Sequence, residues 1–378
     1  MVNHLRICGR FGYDSEFIGE LTYFPKLCLI QVASPERVAL IDPLAGLDLS
    51  PFWELVCDPS VEKIAHACQQ DVEPVVRHLN RQPANIFDTQ IAAGFIGLPY
   101  PVSLSKLVFE LTGAKLGKGL TFTHWDQRPL SPMQLRYAAD DVRYLPLVRD
   151  KIGRRLDELG HATWAVEECA ALCNADLYQF DPRTQYLRVR GAGSLQPRNL
   201  AVLRDLTAWR DAAARAADVP PRAFLKDEVL LDLARNPVKT VDKLARVRGL
   251  PRPVEAAHGT EIVSVTQRAL ELPAADLPIP RDTEQTPSEK FRTDALWAAA
   301  QCLCAGRGID VSLLATRQEI ADFYSHVTRP NDTGTVPRLL TGWRREALGE
   351  PLTRLIHGTA RVNIGWSKDS LAAVVKTV

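Results

Sequence analysis

What this chain of 378 residues lacks narrows the field first. No apolar run approaches the roughly 18 residues needed to cross a bilayer, and the N-terminus has no hydrophobic stretch of the signal-peptide kind. A membrane span and a secretory route are therefore not expected; a cytoplasmic protein is. Cys-x-x-Cys pairs are also missing. The eight cysteines, at positions 8, 28, 57, 68, 169, 173, 302 and 304, lie mostly inside apolar runs. They read as free thiols of a reducing compartment rather than as a disulfide or zinc framework. A strong overall charge is absent too, at a net +1, but the balance is uneven. Residues 183–272 hold 16 Lys and Arg against 10 Asp and Glu, which leaves the remainder net acidic. A near-neutral chain of this kind can present a basic, phosphate-binding surface beside an acidic pocket.

The acidic residues that stand out fall in three separated segments: Asp14 and Glu16 in FGYDSEF, Asp71 in HACQQD, and Asp141 with Tyr137 in YAADDVRYL. Strand side chains alternate with period two, so Asp14 and Glu16 point to one face and can grip one cation together. Tyr137 and Asp141 are four apart, which on a helix stacks them on one face. That helix is well signalled by an N-cap Ser131, Pro132 at its first position, the capping-box partner Gln134, and apolar residues Leu135, Ala138, Val142 and Leu145 at helical spacing. Asp140 points about 100° away from Asp141 on that geometry, which favours Asp141. Asp71 is expected in the first turn of its own helix, with Glu73 two residues on as a rival. Pro146 is expected to kink or end the long helical pattern that follows.

Ligands that are all oxygen, with no histidine or cysteine among them, favour a hard cation such as Mg²⁺ or Mn²⁺ over zinc. Four carboxylates can hold two such ions. Two ions roughly 3.5–4 Å apart stabilise both the attacking and the leaving oxygen of an in-line phosphoryl displacement. A tyrosine hydroxyl beside them is suited to orient the attacking water.

With those motifs in view, residues from about 10 to 175 resemble the DEDD 3′-5′ exonucleases of the tyrosine subclass, and the whole chain resembles the ribonuclease D family. TYFPKLCLIQVA, ALIDPL, KIAHACQQD, FDTQIAA, HWDQRPL and YAADDVRYL fall in that family's order and spacing. The resemblance implies a ribonuclease H-like α/β fold, Asp14, Glu16, Asp71 and Asp141 as ligands of two divalent ions, and Tyr137 as the residue that orients the water. It also implies RNA 3′ ends as substrate, tRNA precursors among them. A DNA exonuclease would use the same five residues. A third reading, an RNA-binding protein whose nuclease is impaired, follows from the short N-terminal segment, one of three departures from the family pattern. Only thirteen residues precede Asp14, so the family's first helix is expected to be missing, and RICGRFGYD is expected to be a strand weakened by Gly9 and Gly12. Gly19 stands where the family often has an arginine, and Thr123, His124, Trp125 replace Ser-Asp-Trp.

Within the first domain, expected at residues 1–176, LCLIQVA, RVALIDPL and EKIAHA read as strands, and DVEPVVRHLN and DTQIAAGFIG as helices. A linker at 177–197 leads to residues 198–272, which resemble an HRDC domain, an all-α bundle. The resemblance suggests nucleic-acid binding there, with Arg222, Lys226, Arg246 and Arg248 as candidates. TVDKLARVRGL is expected to be helical with Gly249 as its C-cap. Trp209 is expected in the bundle core, among Leu203, Leu206 and Ala213. A proline-rich linker at 273–290 precedes a second HRDC-like helical domain at 291–366, and residues 367–378 are expected to be a tail. Nothing in the stretch from Arg361 signals an element, so loose ordering is expected there.

Overall fold

The computed structural model describes residues 1–19, 21–117, 119, 124–278, 286–329, 336–366 and 371–377. The chain divides into two compact units: Met1–Glu16, Cys28–Tyr178 and Gln285–Val378 form the first, and Phe17–Leu27 with Gln179–Glu284 the second.

The first unit opens with α1 (Val2–Cys8), β1 (Arg10–Ile18), β2 (Lys26–Ala33) and β3 (Val38–Ile41). Then come α2 (Ser50–Val56), β4 (Glu62–Ala65), α3 (Gln69–Leu79), β5 (Ile86–Asp88), α4 (Thr89–Gly94) and α5 (Leu104–Thr112). Three further helices, α6 (Pro132–Arg143), α7 (Leu145–Leu159) and α8 (Ala162–Ala170), complete this part. The five strands form a mixed sheet in the order β3-β2-β1-β4-β5, as the expected α/β fold requires. β2 and β3 are antiparallel, with Ile30 opposite Ile41, while β1, β4 and β5 run parallel, with Gly12 opposite Ile64. β1 is therefore central. Its Phe11 and Tyr13 are fully buried and meet Phe52 of α2 edge to face.

The first helix, expected to be missing, is present as α1. Gly9 ends it with φ 68°, a left-handed conformation that glycine adopts without strain, and donates its N–H to the Arg6 carbonyl. Arg6 to Cys8 thus belong to the helix, and the strand starts at Arg10. Fully buried Leu5 anchors α1, a short element that a window of mixed residues does not advertise. Gly12 has a packing reason. A Cβ there would lie 2.9 Å from the Val142 carbonyl and 3.1 Å from Leu145 Cβ, so the glycine lets α6 and α7 approach the central strand. Pro146 sits in the first turn of α7, where a proline is tolerated, and the long pattern breaks at Tyr144.

The second unit contains α9 (Pro197–Ala216), α10 (Pro221–Phe224), α11 (Asp227–Arg235) and α12 (Arg252–Leu270), packed through Leu200, Leu203, Leu206, Leu230, Leu233 and Ile262. Residues 241–246 are a short 3-10 turn rather than an α-helix, and Gly249, at φ 82°, turns the chain before α12 instead of capping a helix. Trp209 packs partly buried against this core, and its Nε1–H donates to Glu261. The segment Phe17–Leu27 belongs here through Tyr23, whose hydroxyl donates to Asp211 at 2.7 Å while the Arg215 guanidinium lies over its ring.

The C-terminal region of the first unit is helical through α13 (Pro287–Arg307), α14 (Val311–Leu314), α15 (Arg317–Thr328), α16 (Gly342–Arg344) and α17 (Glu350–Ile356). Where loose ordering was expected, β6 (Ala360–Trp366) and β7 (Leu371–Thr377) form an antiparallel hairpin. Gly306 of α13 permits it, because a Cβ there would lie 2.9 Å from the Ala373 backbone nitrogen. Trp343 stacks edge-on against Phe95, and its Nε1–H donates to Glu168. The Arg344 guanidinium pairs with the same carboxylate. Among the described residues, no helix is long and apolar enough to cross a membrane.

Candidate active site

The pleat of β1 sets the site. Asp14 and Glu16 share one face, and Tyr13 and Ser15 share the other. From α6, one turn separates Tyr137 and Asp141, and the capping box predicted at Ser131 and Gln134 fixes where that helix starts. One carboxylate oxygen each of Asp14, Glu16 and Asp141 lies within 4.8 Å of the others. Asp71 is in the first turn of α3 as expected, but it stands outside that triplet. Its Oδ1 accepts a hydrogen bond from the Ser15 hydroxyl at 2.5 Å, and its carbonyl accepts one from the Tyr13 hydroxyl. The negative charge of Asp71 still acts on both Asp14 and Glu16.

The electrostatics are those of crowded, poorly solvated acids. Burial, followed by the charges of Asp71, Asp141 and Glu16, lifts the Asp14 carboxyl well above its ordinary range. Glu16 is pushed to about 8, chiefly by burial and then by Asp141 and Asp71, with a Gln31 hydrogen bond opposing. Burial takes Asp71 to about 7 against the Ser15 hydrogen bond, and Asp141 to about 6 against one from Tyr137. Among the described residues, the charges that weigh most on the four groups are negative, which favours a cation at the site. A hard divalent cation fits this oxygen-only donor set and relieves its repulsion. Tyr137 is raised by burial first and by Asp141, Glu16 and Asp14 next, so its hydroxyl remains a proton donor at neutral pH. Buried Trp125 lies beside its ring, with centroids 6.1 Å apart.

Two further residues belong to the site that no motif marks. Ser15, between the two strand acids, holds Asp71. Fully buried Gln31 on the neighbouring strand directs Nε2 at Glu16 Oε1, 3.4 Å away, and its own Oε1 has no protein partner among the described residues. A buried glutamine inside the apolar run LCLIQVA was the available signal. The rival acids lie elsewhere: Glu73 faces Arg77 at 3.9 Å, and Asp140 pairs with Arg143 at 3.1 Å. Thr123 lies outside the described residues. His124 is exposed, and its carbonyl accepts from Gln134.

In the second unit Arg222, Lys226, Arg246 and Arg248 are all exposed. Arg222 is engaged by Asp227 at 3.0 Å, a carboxylate that also receives the buried Arg210.

Comparison with known proteins shows the family of the chain. A 3′-5′ exonuclease family profile matches residues 1–157, and an HRDC domain profile matches residues 199–266. Ribonuclease D of Gluconacetobacter diazotrophicus is 37% identical over 97% of this chain and 93% of its own length. Ribonuclease D of Pseudomonas paraeruginosa is 37% identical over 90% of each. Among solved structures, Escherichia coli RNase D, described as an exoribonuclease involved in structured RNA processing, superposes with a TM-score of 0.82. It is 30% identical, over 94% of this chain and 95% of that one.

Proposed function

The chain belongs to the ribonuclease D family of 3′-5′ exoribonucleases, and from that premise we propose that it trims RNA 3′ ends by two-metal-ion hydrolysis, releasing 5′-mononucleotides. The observation that carries the metal chemistry is the convergence of Asp14, Glu16 and Asp141 within 4.8 Å, where the leading charge effects among the described residues are negative. Asp71 supplies the fourth carboxylate from α3. Two Mg²⁺ or Mn²⁺ ions held there would make hydroxide available near neutral pH and stabilise the charge on the departing 3′ oxygen. The chain's own residues do the rest. Ser15 and Gln31 fix the orientation of Asp71 and Glu16. Tyr137, protonated and braced by Trp125, orients the attacking water along the line of displacement.

The substrate in this reading is structured RNA, with tRNA precursors in the cytoplasm as its natural form. The role of the E. coli relative in structured RNA processing supports the RNA class. The exposed basic residues 222, 226, 246 and 248 support contact with phosphates outside the acidic pocket. Purified protein with Mg²⁺ and matched RNA and DNA oligonucleotides labelled at the 5′ end tests the proposal. A ladder of RNA shortened by single nucleotides is expected. A ladder from DNA alone would move the activity to DNA, and internal fragments would overturn the exonuclease reading.

A further inference from the structure

The N-terminal helix carries a second group of ligand-type side chains, away from the acidic pocket. His4 and Cys8 are four apart on α1 and so share a face, and the turn after β2 brings Glu36 to them. His4 Nε2 lies 3.6 Å from Cys8 Sγ and 3.8 Å from a Glu36 carboxylate oxygen, and the three donor atoms all fall within 4.8 Å of one another. A tetrahedral ion bound to sulfur at about 2.3 Å and to imidazole nitrogen at about 2.0–2.1 Å separates those two atoms by about 3.5 Å. The helix already holds the pair near that spacing. Glu36 is 71% exposed, so its side chain can close on an ion without backbone movement. The turn is fixed by buried Ser34, whose hydroxyl oxygen accepts the N–H groups of Glu36 and Arg37 and lies 2.9 Å from His4 Nε2.

We propose that His4, Cys8 and Glu36 form a binding site for a borderline-soft divalent cation of the Zn²⁺ class, separate from the catalytic carboxylates. Thiolate and imidazole select such an ion over Mg²⁺, whereas the all-oxygen pocket does the reverse. Three protein ligands leave the fourth position to water. On binding, His4 holds its ring proton on Nδ1 and its Nε2 lone pair exchanges the Ser34 hydroxyl contact for the metal, while the Cys8 thiol releases its proton to solvent and forms the sulfur–metal bond, with no change of oxidation state. The ion joins α1, which has no side-chain N-cap, to the β2–β3 turn and so steadies the segment that leads through Gly9 into β1.

The test is a cobalt titration of the full chain in excess Mg²⁺, which keeps the carboxylate pocket occupied, followed by displacement with Zn²⁺. A thiolate-to-cobalt charge-transfer band is expected, lost on stoichiometric zinc addition, absent in Cys8→Ser and retained in Asp141→Asn. Glu36→Gln, at an exposed position that does not threaten folding, should weaken zinc binding by at least about tenfold, since even an outer partner of a metal ligand costs that much. Mg²⁺-dependent trimming should be unchanged in both Cys8→Ser and Glu36→Gln. Absence of the band in the wild type overturns the site. Persistence of the band in Cys8→Ser assigns it to another cysteine, and unchanged zinc affinity in Glu36→Gln removes the three-ligand assignment. Either result also overturns the proposal.

Discussion

Tyr137 is the residue whose task the surroundings restrict most. Its hydroxyl donates to Asp141 and cannot ionise at working pH, because burial and three nearby carboxylates hold its proton on. It can position water but cannot replace a carboxylate as a ligand. Tyr137→Phe is therefore expected to lower turnover by about 10²-fold or more, the scale of a well-placed proton-bearing group, while the Mg²⁺ concentration for half-maximal rate stays put. Titrating Mg²⁺ against the initial rate of both proteins checks this, and a large rise in the Mg²⁺ requirement with the maximal rate intact would make Tyr137 part of the ion's cage. At this scale the sequence was legible wherever spacing alone places side chains. Asp14 with Glu16 follows from a period of two, and Tyr137 with Asp141 from a helical turn. Ser15 and Gln31 were not legible, because their roles depend on which strand and helix lie beside β1. The position of Asp71 against Ser15, outside the acidic triplet, is likewise a matter of tertiary packing.

Between elements, the contact that sets the site is β1 against the junction of α6 and α7. Gly12 makes it possible, since Val142, the residue after Asp141, presents its carbonyl where a Cβ would go. Gly12→Ala should cost roughly 1–3 kcal/mol, the range for overpacking a tight interior. It should also reduce activity more than stability, because the strain falls beside Asp141. Thermal unfolding and single-turnover trimming measured on the same preparation separate the two effects. From sequence, this glycine looked like a weakness in a strand, because local pattern cannot show a neighbour's approach. The same limit concealed α1. A stretch in which Leu5 is the only buried residue has too little periodicity to declare a helix, yet contact with the rest of the fold stabilises it.

A second contact ties α8 to α16. Burial raises the Glu168 carboxyl, but hydrogen bonding and charge from Arg344, with the Trp343 N–H, outweigh that and bring it below its ordinary 4.5. A carboxyl whose folded value is depressed contributes stability that is complete above its unfolded value and is lost as pH falls through the folded one. Arg344→Met should therefore destabilise the protein by roughly 3–5 kcal/mol at neutral pH, because Glu168 is left buried and unpaired. The difference from wild type should shrink as pH drops below 4.5. Urea unfolding of both proteins across that range reads it directly, and a difference that does not vary with pH would deny the pair its role.

For the molecule as a whole, the proposed function places chemistry and RNA affinity in different stretches of chain. The candidate ligands precede residue 142, while Arg246 and Arg248 are exposed in the second unit. Reversing both to Glu should weaken binding to structured RNA and make its salt dependence shallower, while a short single-stranded RNA at saturating concentration is trimmed at the wild-type rate. Binding measured over a salt series tests the assignment, which fails if the slope is unchanged. Sequence composition located this basic stretch, but it could not show that residues 285–378 group with the nuclease sheet. That grouping depends on Trp343 and Arg344 meeting Phe95 and Glu168, pairings far apart in the chain that no local pattern records.

In the proposed function the carboxylate cluster performs metal-dependent removal of nucleotides from RNA 3′ ends. The most direct measurement follows 5′-labelled RNA with wild type and Asp141→Asn side by side, at saturating Mg²⁺, with RNA binding measured on the same samples. Wild type is expected to give a ladder descending one nucleotide at a time, and Asp141→Asn no shortening despite undiminished binding. Trimming by Asp141→Asn at near the wild-type rate would contradict the proposed function.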